Sequence, residues 1–121
     1  FFGHTNHPVR KLLDAGINVG LGTDSLASND TLSILDEMKF LFLHYVISPK
    51  NLLAMATLNG AKALGLESKV GQIKEGFEAD LCGIRLPDAY PKDVYDQFLD
   101  DASENIFTMV SGVMCYQASS H

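Results

Sequence analysis

Basic residues are scarce in this sequence. Nine Lys and Arg stand against fifteen Asp and Glu, which gives a net charge of −6 at pH 7 and a pI near 5.0. A nucleic-acid groove or an anionic membrane surface would need the opposite sign, so neither is expected as a partner. Long apolar runs are also missing: none reaches the roughly 18 residues of a membrane-spanning helix. The opening Phe1-Phe2-Gly3-His4 has neither the basic start nor the apolar stretch of a secretory signal. Cysteine is limited to Cys82 and Cys115, with no C-x-x-C pair. Two are too few for a disulfide framework, so both are expected as free thiols in a soluble protein of the reducing cytoplasm. What is present is globular usage. The chain has 121 residues, 46% hydrophobic and 20% charged, enough for one domain at most. Its first residue is Phe and not Met, which points to a piece of a longer chain.

Local patterns divide the chain into helical and strand-like parts. Val9, Leu12 and Leu13 mark a short helix to Ala15, with Pro8 at its start and Gly16 as its stop. Ile17, Val19 and Leu21 alternate with Asn18, Gly20 and Gly22, the period of a strand. Capping residue types fill Ser28 to Thr31, ahead of a helix over Leu32–Ile47 that is apolar on most sides and wants covering from more than one direction. Ser48 and Pro49 open a further helix to about Leu64, stopped by Gly65. Gly60 inside it costs about 1 kcal/mol against Ala, which points to close packing on a neighbour. Short Gly-punctuated runs follow from Val70, including Ala79–Ile84. A weak helix is expected around Val94–Leu99, then a final strand over Ile106–Tyr116 with a turn or bulge at Ser111-Gly112.

The strand end Gly20-Leu21-Gly22-Thr23-Asp24-Ser25 is open to three readings on its own. In the first, Asp24 or Ser25 caps the next helix. In the second, Gly20-x-Gly22 cradles a phosphate; but the third glycine of that fingerprint is replaced by Ser25, and Asp24 would repel the anion. In the third, Asp24 is a catalytic carboxylate at the carboxyl end of a barrel strand, able to ligate a divalent metal and take a proton from water.

The wider sequence resembles the amidohydrolase superfamily, and within it the metal-dependent deaminases and chlorohydrolases. The blocks that carry the likeness are Gly16 to Ser25, Ala27-Ser28-Asn29 with Leu32 to Met38, Ala56 to Gly65, and Gly71 to Leu81. Their order over residues 9–84 is more specific than any one motif. The resemblance implies that Ile17–Leu21 is the last strand of a TIM barrel and that Asp24 is the metal-binding and catalytic aspartate, a general base or proton shuttle. Thr23 and Ser25 would support its carboxylate, or make turn hydrogen bonds only. Asp80 is expected to fix a turn by accepting from backbone amides.

The departures are as informative. The superfamily's metal site also takes a His-x-His pair and further histidines, and no His-x-His occurs here. His4 and His7 lie among loop residues, His44 on the long helix, and His121 at the terminus. A single carboxylate does not hold zinc, which wants about four ligands. The expectation is therefore an α/β chain forming the C-terminal part of a metal-dependent hydrolase. Residues 1–66 would complete the barrel, with one helix, its last strand and two further helices. Residues 67–121 would form part of a small β-sandwich domain. The complete enzyme would hydrolyse carbon–nitrogen or C–Cl bonds of a small molecule by metal-activated water, using zinc or iron. The isolated chain would be inactive, bind no metal and self-associate. The alternative is a non-catalytic remnant that serves as an oligomerising or interaction module.

Overall fold

The structure, a computed structural model, describes residues 8–27, 31–87 and 93–119. It is α/β, with helices leading and a small antiparallel sheet following. Helix α1 spans Val9–Asp14. Its end is a Schellman motif: Gly16, at φ 72, donates to Leu13 O at 2.9 Å, and Ile17 N donates to Leu12 O at 3.0 Å. The glycine stop read from the sequence is the residue that supplies the left-handed conformation.

Helix α2 spans Ile34–His44, shorter than the expected Leu32–Ile47. Ser33 is its cap, accepting the Asp36 amide at 3.2 Å, and the capping types at 28–30 lie outside the described residues. At the other end Tyr45 is already extended. The long apolar segment beyond the helix still enters the core through Ile47.

The expected Pro49–Leu64 helix is two helices, α3 over Pro49–Ala56 and α4 over Leu58–Ala63. Ser48 caps α3 as read, accepting from Asn51 N at 3.3 Å. The break falls at Thr57, with φ −127 and ψ −93, whose hydroxyl donates back to Leu53 O at 2.7 Å. Such bonding by Thr to the preceding turn bends helices. The Met55 carbonyl, which an unbroken helix would pair with Asn59 N, instead accepts Leu21 N at 3.1 Å.

Strand β1 is Leu81–Arg85, β2 is Glu104–Val110 and β3 is Val113–Gln117, in the order β1-β2-β3. Val70–Ile73 is not a strand. The long final strand folds back at Ser111 and Gly112, both at positive φ (49° and 77°), as a two-residue I′ hairpin requires. In β1, Gly83 faces Phe107 of β2, whose ring occupies the space that a side chain at 83 would need. Helix α5, Val94–Gln97, packs against α3.

The core gathers Val9, Met38, Ile47, Leu52, Met55 and Leu99, with Leu13, Val19, Leu21, Phe42 and Tyr45 packed around it. Leu52 and Met55 are essentially without solvent contact. The helical part is tied to the approach of β2 by Lys39. Its ammonium donates to Ser103 O at 2.8 Å and Asp101 O at 3.3 Å. Among the described residues no helix is long and apolar enough to cross a membrane.

Candidate functional site

The segment Ile17–Leu21 carries the residues of interest, and it is not a strand. The reason is non-local: a strand exists by pairing, and no other strand lies beside it among the described residues. It rests instead on the α3–α4 joint. Leu21 N donates to Met55 O at 3.1 Å. Asn18 Nδ2 donates to Asn59 O at 2.9 Å, and Asn59 Nδ2 donates to Val19 O at 3.0 Å. Between these bonds the two backbones touch: a Cβ on Gly20 would lie 3.3 Å from Gly60 Cα. Gly60 does pack closely on a neighbour, and that neighbour is Gly20.

Three residues past Leu21, Asp24 adopts φ 58. This left-handed conformation is uncommon outside glycine, and Asp is one of the few types that tolerate it. The turn leaves Thr23 half-buried, with Asp24 and Ser25 exposed. An exposed carboxylate on a loop anchored to a packed joint is accessible to a small molecule and fixed at its base. Non-glycine residues in this region cluster at functional sites.

Among the described residues, no other sequence candidate joins Asp24 in a group that could hold a metal. His44 sits at the end of α2, exposed, with its ring centroid 4.4 Å from that of Phe40. His4, His7 and His121 lie outside the described residues. No group of three or more His, Cys, Asp or Glu side chains that could hold a metal occurs among the described residues. Among the described residues the donor set at Asp24 is one carboxylate, which does not fit a metal centre by itself. Asp80 has the structural role expected of it, accepting Ser111 N at 2.7 Å. Cys82 and Cys115 are both free and exposed. Partial burial of the Cys82 sulfur nevertheless pushes its thiol pKa up. Sequence reasoning missed Asn18 and Asn59. The available signal was Asn59 itself, a poor helix former placed next to Gly60 inside an apparent helix.

Fold and site define an α/β chain that presents a carboxylate from an anchored loop, with no metal cluster among the described residues. The amidohydrolase family profile matches residues 4–115, and the chain belongs to that family. It is 50% identical over 82 residues to a 5-methylthioadenosine/S-adenosylhomocysteine deaminase of Thermococcus onnurineus, covering 61% of this chain and 19% of that protein. It is 43% identical over 97 residues to a 5′-deoxyadenosine deaminase of Methanosarcina barkeri, covering 74% and 22%. Among solved structures, an adenosine deaminase from Xanthomonas campestris with bound Zn superposes with TM-score 0.79 at 28% identity, covering 88% of this chain and 27% of that one. Guanine deaminase of E. coli superposes with TM-score 0.74 at 26% identity, covering 92% and 30%. The chain thus spans about a fifth of the length of the curated relatives it matches.

Proposed function

We propose that this chain is the C-terminal segment of a hydrolytic deaminase acting on the amino group of a purine nucleoside or base. The observation that carries the reading is the 50% identity over 82 residues to a 5-methylthioadenosine/S-adenosylhomocysteine deaminase. In the reaction, water forms a C–O bond to the ring carbon, the exocyclic C–N bond breaks, and ammonia leaves. Asp24 takes a proton from the attacking water, and the leaving nitrogen receives one, so the carboxylate begins and ends the cycle ionised. Thr23 and Ser25 flank it and orient the turn. Zinc or iron belongs to the complete enzyme, where Asp24 would be one ligand and the others would come from the rest of the barrel; the isolated chain holds neither tightly. Residues 1–66 serve as the end of a TIM barrel and residues 67–121 as part of a β domain.

A second reading is favoured by one observation, the apolar side chains left in solvent: Val46 is 89% exposed and Ile73 92%. On that reading the isolated chain is an oligomerising module without catalysis.

A chimera separates the two. Residues 8–119 replace the matching segment of the Thermococcus onnurineus enzyme, and ammonia release from 5-methylthioadenosine is measured. Deamination above that of the truncated enzyme is the expected result. A chimera that folds and loads metal but releases no ammonia would overturn the catalytic reading.

A further inference from the structure

Asp24 ends a segment that pairs with no strand among the described residues and rests on the α3–α4 joint. A general base has to lie within about 2.6–3.2 Å of the proton it takes, or reach it through one water. Misplacement by about 1 Å from a change remote from the chemistry can cost about 10²-fold. The contacts of Asn18, Val19 and Leu21 converge on the joint between α3 and α4. The break at Thr57 leaves the Met55 carbonyl to Leu21 N. Asn59 engages twice, donating from Nδ2 to Val19 O and accepting Asn18 Nδ2 at its backbone carbonyl. The Gly20–Gly60 approach sets how near the two backbones come.

We propose that Asn59 is a positioning residue for Asp24: by holding the Val19 carbonyl it sets the register in which residues 17–24 leave the α3–α4 joint. The inference rests on the reading of Asp24 as proton acceptor, and adds the residue that determines where this acceptor stands. Asn59 is the second residue of α4, and Asn is a poorer helix former than Ala. Its side-chain amide meets a need that no aliphatic residue would satisfy, because a partly buried Val19 carbonyl would otherwise lose its partner. The carbonyl lies five residues before Asp24, and the Leu21 bond three before it. A slip at Asn59 is therefore carried along the backbone to the carboxylate.

The test begins with the 121-residue chain itself. Asn59→Asp keeps the side chain's size, removes the donor and sets an anion against the Val19 carbonyl. Backbone amide resonances of Leu21, Thr23 and Asp24 are expected to shift and their hydrogen exchange to quicken, while Leu52 in α3 keeps its protection. If Asn59→Asp does not fold, Asn18→Ala reads the same joint from an exposed side chain outside the helices. Amides at 21–24 that stay unmoved in a folded variant would overturn the positioning. In the chimera, Asn59→Asp is expected to lower kcat by about 10²-fold with little change in KM. A purely structural Asn59 would instead lower the amount of folded protein and leave kcat per active site intact, which would also overturn it. A parent chimera without deaminase activity would overturn the reading of Asp24, and with it the catalytic sense of the positioning; the amide measurements distinguish that failure from a failure of the contact.

Discussion

The Asp80 carboxylate accepts the Ser111 amide at 2.7 Å, joining the residue just before β1 to the turn between β2 and β3. Gly112 N reinforces the closure by donating to Ala79 O at 3.1 Å. A charged acceptor on a backbone amide makes a stronger bond than a neutral pair, so one side chain holds the hairpin against the opposite edge strand.

Asp80→Ala should therefore lower stability by about 1–3 kcal/mol. Asp80→Asn, which keeps an oxygen in the same place, should lose less. Urea denaturation of the three proteins checks this order, and equal losses in the two variants would contradict it.

Gly83→Ala should be more damaging than its size suggests. The new Cβ would lie 2.2 Å from Cε1 and 2.5 Å from Cδ1 of Phe107, so the ring has to leave its place over β1. Overpacking of this kind costs about 1–3 kcal/mol. Thermal unfolding should show a fall of several degrees, and Gly83→Ala with Phe107→Leu should recover part of it.

The two thiols should differ in reactivity. Burial raises the Cys82 pKa, so at any pH below it a smaller fraction is thiolate than in an unperturbed thiol, and the thiolate is the nucleophile. At about pH 8, near the ordinary thiol range, iodoacetamide should modify Cys115 before Cys82. The gap should narrow as pH rises. Peptide mass mapping over time reads the order directly, and faster labelling of Cys82 would contradict it.

The isolated chain should self-associate. Leu43 and Val46 are exposed around the end of α2, and every residue of edge strand β3 is exposed. Light scattering at micromolar concentration should give a mass above the 13.2 kDa of one chain. A clean monomer would contradict this.

The features legible in the sequence are those decided within a few residues. Gly16 stops α1, Ser48 and Pro49 open α3, and Ser111-Gly112 turns the hairpin, because each depends on local dihedral preference and a nearby hydrogen bond. Asp80 was readable as a turn-fixing residue, though not its partner 31 positions away. The break at Thr57 was not legible: Thr is an ordinary helix residue, and only its bond to Leu53 O and the waiting Leu21 amide make the kink favourable. Ile17–Leu21 has the alternation of a strand, but alternation records which faces are apolar and cannot supply a neighbouring strand. At the candidate site, the motif around Asp24 leaves three readings open, and only the family resemblance over residues 9–84 singles out the carboxylate. The Asn18–Asn59 lock beneath it joins residues 41 apart and leaves no periodic trace.

The proposed deamination depends on proton transfer by Asp24. Its most direct test is kcat of the chimera with and without Asp24→Asn, at matched metal content and folded fraction. The substitution keeps the side chain's size and removes its basicity, so kcat should fall by about 10²–10⁴-fold with the thermal midpoint little changed. An Asp24→Asn chimera that deaminates at the parent rate would contradict the account.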